Sequence, residues 1–354
     1  MAFAPQPIIS KQFGVDTMLE LPKELRVMLS TVKNKYARGI AVVSEEHKST
    51  WPDDIFDGGN DEYSFTQPNK LPGPSPTPQQ CAKIVRLARR CEEHRACEAA
   101  WNSSVHNLIL DTALDYHAFI NAVYFVNSTS ARIFPSLIPP GRAGTSLDAK
   151  MIDFAIHMEP NPRFNSALHV LAQRSSPLEP FSTNCTPYAP LCARPIGVSI
   201  ETKLTGEKWE DVLLQVEVWA ASSFVRMEHL VADCAAAHGG GGGGYDGEDK
   251  DKDEDEDEDE DKDQVGSNLP FLPILIIQGH DWNFLAAVRQ TSMDGDKRIT
   301  KTCVYHKVAF GSTTSLLGVY QVICTIQLLA TWVRDDYTPW FESRCLGLDS
   351  VERL

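Results

Sequence analysis

Three stretches of the chain alternate apolar and other side chains with a period of two, or run apolar without a break, and so read as strands. They are 121–127 (NAVYFVN), 149–158 (AKMIDFAIHM) and 195–203 (PIGVSIETK). Two more follow at 272–278 (LPILIIQ) and 301–310 (KTCVYHKVAF). Elsewhere the period lengthens to that of a helix. Residues 78–117 read as helical through most of their length, with Trp101, Val105, Leu108 and Thr112 on one stripe. Residues 206–230 carry Trp209, Val212, Leu213, Val216, Ala220 and Phe224 on one side, and 314–333 is a closing helix. A further helix is expected within 20–40, followed by a Pro-, Gly- and Asp-rich connector over 51–78.

The order helix, three strands, helix, strand, strand, helix predicts an α/β protein built around one mixed sheet. One domain is expected over 78–345, after an N-terminal helical and irregular extension over 1–77 and before a short tail at 346–354. Within that domain, 235–268 passes from AAAHGGGGGG into EDKDKDEDEDEDEDKDQ. Consecutive glycines maximise backbone entropy and the acidic run repels itself, so this segment is expected to be a disordered insertion between a helix and a strand. The stretch 316–333 approaches membrane length, but Gln321, Thr325 and Gln327 interrupt it, and a buried helix is the expectation.

Charge changes the picture only once it is mapped. The formal net charge is −15, but Asp246–Asp263 holds fourteen acidic residues against Lys250, Lys252 and Lys262 and carries −11 of it, which leaves a nearly balanced body. Local basic surface therefore remains available for nucleic acid, and KIVRLARR at 83–90 is the densest cluster, although a solvated helix face explains it equally well. The acidic tract could attract a basic protein partner, with a plain solvated spacer as the alternative. The nine cysteines form no CxxC pair, and the N-terminus shows no basic segment leading into a sustained apolar one. Both point to an intracellular protein with reduced thiols, nuclear or cytoplasmic being left open, and to no membrane partner.

The candidate chemistry lies on the strands. In 195–203, Ile196, Val198 and Ile200 share one face, and Gly197, Ser199, Glu201 and Lys203 the other. In 149–158, Ile152, Phe154, Ile156 and Met158 share one face and Asp153 lies on the other with Ala155 and His157. If these strands are neighbours, Asp153, Glu201 and Lys203 converge at the end of the sheet. Two carboxylates beside an ammonium suit a hard divalent cation such as Mg²⁺ that keeps waters and binds phosphate. Such a cation would polarise a phosphodiester, with Lys203 holding a water or offsetting charge on phosphorus. A strand-end salt bridge is the bland alternative for an ExK pair taken alone.

The pairing of KMIDFAI with PIGVSIETK resembles the D…(D/E)xK signature of the PD-(D/E)xK nuclease superfamily, and the chain is similar to the fungal PD-(D/E)XK nuclease-like domain proteins. The blocks CEAAWNSSVHNLIL, NCTPYAPL, ILIIQGHDWNFLAAV and GSTTSLLGVYQVICTIQLLATWV carry the resemblance in order across roughly 78–345. It implies a restriction-endonuclease-like core (αβββαβ), a mixed central sheet flanked by helices, and an Mg²⁺- or Mn²⁺-dependent phosphodiester hydrolase acting on nucleic acid, DNA ahead of RNA. By the same resemblance Asp153 and Glu201 bind the metal, Thr202 lends its backbone carbonyl, Lys203 is the catalytic lysine and Glu98 assists. Gln215 and Trp219 match a Gln-x-x-x-aromatic pattern, with Gln215 orienting substrate or water. Ile152 stands where the signature has proline. The alternative is a catalytically silent nuclease-fold module that binds nucleic acid or protein.

Outside the resemblance, Glu98 reads as an exposed helix charge, Gln215 as a surface amide and Trp219 as a packing residue. Cys91, His94 and Cys97 spread around a helix and offer no fourth zinc ligand. His280 and Asp281 in QGHDW read as a capped turn after a strand, and Cys185 and Cys192 as free thiols in a loop. There is neither a nucleophile elbow nor a phosphate-binding P-loop in the sequence.

Overall fold

The structure, a computed structural model, describes residues 7–51, 62–139, 151–174, 180–238, 271–294 and 297–348. The Gly/acidic stretch expected to be disordered lies from residue 239 onward outside the described residues, as does the tail from 349.

The elements in chain order are β1 (Ile8–Gln12), α1 (Lys23–Asn34), the short strands β2 (Val43–Ser44) and β3 (Phe65–Thr66), α2 (Pro78–Glu93), α3 (Glu98–Trp101), α4 (Asn107–Leu114), β4 (Val123–Asn127), β5 (Phe154–Met158), α5 (Pro162–Arg174), β6 (Ile196–Lys203), α6 (Trp209–His238), β7 (Leu272–Gln278), β8 (Asp281–Asp294), β9 (Lys297–Ser312), α7 (Leu316–Trp332) and α8 (Thr338–Leu346). A π-helical turn, Asn102–His106, joins α3 to α4 without a break.

Seven strands form one mixed sheet in the order β1-β9-β8-β7-β6-β5-β4. Strands β4, β5 and β6 form an antiparallel meander, and β7, β8 and β9 form a second one. Between the two meanders β6 and β7 pair in parallel, which requires a crossover; α6 lies between them in sequence. The expected run of helix, three strands, helix and strand corresponds to α2–α4, β4, β5, β6, α6 and β7, so the restriction-endonuclease-like α/β arrangement is present.

Strands in the middle of this sheet are buried on both faces, because helices cover each side. Strand β7 is apolar almost throughout for that reason, and β6 keeps only Lys203 partly open. Helix α7 lies against β9, α4 and α2 with most of its side chains buried, although the continuous helical run it opens, Leu316–Leu346, is long and apolar enough to cross a membrane. Its N-terminus is capped by the Ser315 hydroxyl, which accepts from the Gly318 N–H. Helix α2 begins with Pro78 in its first turn and a capping box between Thr77 and Gln80.

Six elements differ from expectation, among them α8 and the short pair β2 and β3, which the sequence pattern did not predict. Strand β8 was read only as a turn at QGHDW. Gly279 and His280 do form the turn, but the chain then pairs at once, Gln278 opposite Asp281, and continues as a strand to Asp294. Its sequence, DWNFLAAVRQTSMD, alternates poorly; pairing with β7 on one side and β9 on the other imposes the extended form. Helix α5 and strand β1 were not expected at all. Residues 8–12 extend the sheet by parallel pairing with β9, Ile8 opposite Thr302, so part of the N-terminal region is integral to it.

Candidate active site

The antiparallel register of β5 and β6 places Phe154 opposite Ile200, which brings Asp153, one residue before β5, alongside the end of β6. The Asp153 N–H donates to the Ile200 carbonyl at 2.9 Å, and its own carbonyl accepts from the Ser128 N–H at 2.7 Å. Asp153 is thereby held by backbone on both sides. Its Oδ2 accepts from the backbone N–H and the hydroxyl of Thr202, each at 2.8 Å. The side chain of Thr202 thus fixes one carboxylate of the site.

Glu201 is 1% exposed. Its Oε1 accepts from Lys203 Nζ at 2.5 Å and from Gln215 Nε2 at 2.7 Å, while its Oε2 is buried and has no partner among the described residues. Gln215, on α6, also donates from Nε2 to the Met151 carbonyl at 2.6 Å. One side-chain amide therefore ties the crossover helix to β6 and to the chain entering β5. Lys203 Nζ donates in addition to the Thr202 carbonyl at 2.8 Å and to Glu98 Oε2, at the start of α3, at 3.5 Å. All six residues anticipated from the sequence, Glu98, Asp153, Glu201, Thr202, Lys203 and Gln215, belong to one connected group.

The electrostatics follow from burial. Desolvation, with like-charged Asp153 adding to it, pushes the Glu201 carboxyl up to about 8 despite the pull of Lys203. Burial also raises Asp153 against the two Thr202 hydrogen bonds that favour its ionised form, and raises Glu98 against the attraction of Lys203. Burial pulls Lys203 down, but Glu201, Glu98 and Asp153 outweigh it and the ammonium stays firmly protonated. The site has more carboxylates than one cation neutralises comfortably.

Among the described residues no three His, Cys, Asp or Glu side chains are grouped so as to hold a metal ion as they stand. The donor set nevertheless fits a hard divalent cation. Two buried carboxylates, a backbone carbonyl and a third, half-exposed carboxylate are all oxygen ligands, and Glu201 Oε2 is an orphaned acceptor. The Lys203 ammonium reaches three of these four groups, through Glu201 Oε1, the Thr202 carbonyl and Glu98 Oε2, and is the positive charge that these oxygens collect in this structure.

The other candidates divide. Trp219 is buried in a small apolar cluster with Ile152, Ala155 and Val218, and its indole N–H has no partner among the described residues. Ile152 thus packs where the signature proline would stand. Cys91 is buried on α2, whereas His94 caps the end of that helix and Cys97 precedes α3, both exposed, so the three do not share one helix as expected. Asp281 is exposed, but His280 is buried, with Nδ1 2.7 Å from Thr313 Oγ1 and Nε2 3.2 Å from Glu92 Oε2. Its ring meets Trp101 of α3 edge to face at 5.0 Å.

One supporting residue was missed in the sequence. Gly279 has φ +59° and donates its N–H to the Lys203 carbonyl at 2.9 Å. A Cβ there would lie 2.1 Å from Thr205 Oγ1. The glycine in QGHDW is the signal, since a left-handed turn residue beside a strand end favours glycine.

The fold and the site together define a nuclease-like α/β protein whose acidic and basic groups gather at the end of β6. In agreement, a family model described as the PD-(D/E)XK nuclease superfamily matches residues 45–338. The chain belongs to that superfamily, a group of hydrolytic nucleases. No curated protein and no solved structure matches it.

Proposed function

We propose that this protein is a metal-dependent nuclease that hydrolyses phosphodiester bonds, with DNA ahead of RNA as substrate. The observation that carries the reading is the orphaned, buried Glu201 Oε2 beside Asp153 and Lys203 on two paired strands. Asp153, Glu201 and the Thr202 carbonyl would hold Mg²⁺ or Mn²⁺, with Glu98 nearby. A cation bound there would supply Lewis acidity to the scissile phosphate and lower the pKa of a water.

The remaining work falls to the chain itself. Gln215 keeps Glu201 oriented through Oε1 and leaves Oε2 free. Thr202 keeps Asp153 ionisable by donating two hydrogen bonds to Oδ2. Lys203, once its contacts to Glu201 and Thr202 are given up, can hold the attacking water or offset the charge that develops on the phosphate oxygens. Glu98, at the rim, would keep that ammonium near the reacting centre.

Purified protein with Mg²⁺ or Mn²⁺ should cut DNA, and Lys203→Ala should remove cutting while circular dichroism shows an unchanged fold. Calorimetry should show metal binding by the wild type and none by Asp153→Asn. Cutting that persists in Lys203→Ala would refute the assigned role.

A second reading, a nuclease-fold module that binds without cutting, draws on one observation: the Lys203 ammonium lies among the oxygens that a metal would need. Folded wild type that binds no metal with or without nucleic acid, yet still binds nucleic acid, would favour it.

A further inference from the structure

The connector from α2 to α3 leads straight to Glu98, and the solvent-facing side of α2 is basic. Cys81, Ile84, Ala88 and Cys91 form its buried stripe. At 100° per residue, Lys83, Arg86 and Arg90 fall on the opposite side of the cylinder, and Arg89 flanks them. All four are exposed, and none has an ion pair or side-chain hydrogen bond among the described residues. On a helix, a carboxylate at i±3 or i±4 is within reach of such a cation. Here Glu93 stands three residues after Arg90 and forms no ion pair with it, and Glu92 lies instead beside His280.

Arg95 extends the stripe toward the site. It is exposed and adopts φ +48°, with its N–H donating to the Glu92 carbonyl as the helix ends. Glycine or asparagine is the favoured residue at such a left-handed position, by roughly 1 kcal/mol. The chain instead keeps a guanidinium there, three residues before Glu98. Three residues of backbone span at most about 10 Å, so the backbone that carries this cation lies within that distance of Glu98, the carboxylate that touches Lys203. Lys83 lines a cleft with Asp111 and Asp115, which offset part of its charge. Arg86, Arg90 and Arg95 form no ion pair among the described residues, although exposed Glu93 shares the helix face of Arg86 and Arg90.

We propose that the outer face of α2, through Arg86, Arg90 and Arg95, is the docking track for the phosphodiester backbone of the nucleic acid whose scissile phosphate reaches Glu201 and Lys203. Arg86 and Arg90 are about 6 Å apart along the axis, far enough for the two guanidiniums to engage different phosphates of one backbone. A planar guanidinium recognises phosphate in a bidentate manner and carries no sequence information. The track thus supplies position and affinity, and leaves base readout to other surfaces. Its position also reconciles a strongly acidic whole with a polyanionic ligand, because the field near the site is set locally.

This inference rests on the nuclease reading, but its test does not depend on cleavage. Binding of a labelled short DNA duplex, its single strand and the matching RNA strand is measured by fluorescence anisotropy in EDTA across a salt series. The proteins compared are wild type, R86E/R90E, R86Q/R90Q and a control, K23E/K33E, which alters net charge as much as the first double variant but on exposed positions of α1. Each phosphate contact contributes about 0.9 to the salt slope on duplex and about 0.7 on single strands. R86Q/R90Q should therefore lower the slope by about two on duplex and weaken binding, R86E/R90E should weaken it further, and K23E/K33E should match wild type. The probe with the largest slope change identifies the form of nucleic acid that docks.

Equal weakening by R86E/R90E and K23E/K33E would overturn the track in favour of a net-charge effect. An unchanged slope in R86Q/R90Q, or wild type that binds no probe, would overturn it outright. Slope loss without cleavage by wild type in metal would keep the track and reject the nuclease reading; cleavage with an unchanged KM in R86Q/R90Q would do the reverse.

Discussion

Lys203 Nζ lies 2.5 Å from Glu201 Oε1, two residues back on the same strand, in a site where Glu201 is 1% exposed. The ammonium opposes the burial that holds the Glu201 carboxyl well above the usual range, and it occupies the oxygens that a divalent cation would use. Removing the lysine should therefore have opposite effects on chemistry and on metal affinity. Lys203→Met should reduce cutting by at least about 10²-fold, the scale set by loss of a single stabilising donor, while calorimetry shows tighter Mn²⁺ binding. Weaker metal binding in that variant would mean that Lys203 supports the cation site rather than competing with it.

The pH dependence follows from Glu201. Its carboxyl is raised from 4.5 to about 8, so the folded protein holds a proton that the unfolded chain releases. The stability this contributes is complete below pH 4.5 and is lost as pH rises toward 8, by up to about 1.4 kcal/mol per unit. Burial shifts Asp153 and Glu98 in the same direction. Metal-free protein should therefore show a falling Tm across this range. Added Mg²⁺ or Mn²⁺ should oppose the fall, with affinity that grows as the carboxyls deprotonate. A Tm that rises with pH in EDTA would contradict the burial argument.

Gln215 joins Glu201 Oε1 to the Met151 carbonyl through one nitrogen. Replacing it by leucine removes the Met151 carbonyl's side-chain donor and leaves Glu201 Oε1 with Lys203 alone, at a cost of about 1–3 kcal/mol. Urea unfolding should register that loss, and kcat should fall with KM nearly unchanged because the change lies behind the carboxylate rather than on the substrate. Full stability in Gln215→Leu would show that water replaces the amide.

Gly279→Ala tests the turn behind the lysine. The left-handed backbone and the close approach of Thr205 both oppose a Cβ, so destabilisation of at least about 1 kcal/mol is expected. The Gly279 N–H holds the Lys203 carbonyl, so cutting should fall as well. Wild-type Tm and rate would remove Gly279 from the site's support.

Asp153→Asn keeps an oxygen able to accept from Thr202 but loses the charge. The variant should unfold within about 2 kcal/mol of wild type, since two neutral hydrogen bonds from Thr202 replace two charge-assisted ones. Metal binding should disappear, and binding that survives would place the cation elsewhere.

Much of this protein could be read from residue order. A period of two in AKMIDFAIHM and PIGVSIETK places Asp153 with the non-apolar positions of one strand and Glu201 and Lys203 with those of another, and alternation is a local property of the pleat. The αβββαβ order followed from the same periodicities. What local pattern could not supply was pairing. Strand β8 is extended because β7 and β9 flank it, and β1 joins the sheet through contacts nearly three hundred residues away in sequence. Nor does the sequence reveal that Glu201 Oε2 is left without a partner or that Gly279 anchors Lys203, since both depend on which groups meet across elements. Residue chemistry sets which strands carry charge; only the packed sheet, by pairing β5 with β6 and excluding water from both faces, brings those charges into one buried, hydrogen-bonded group.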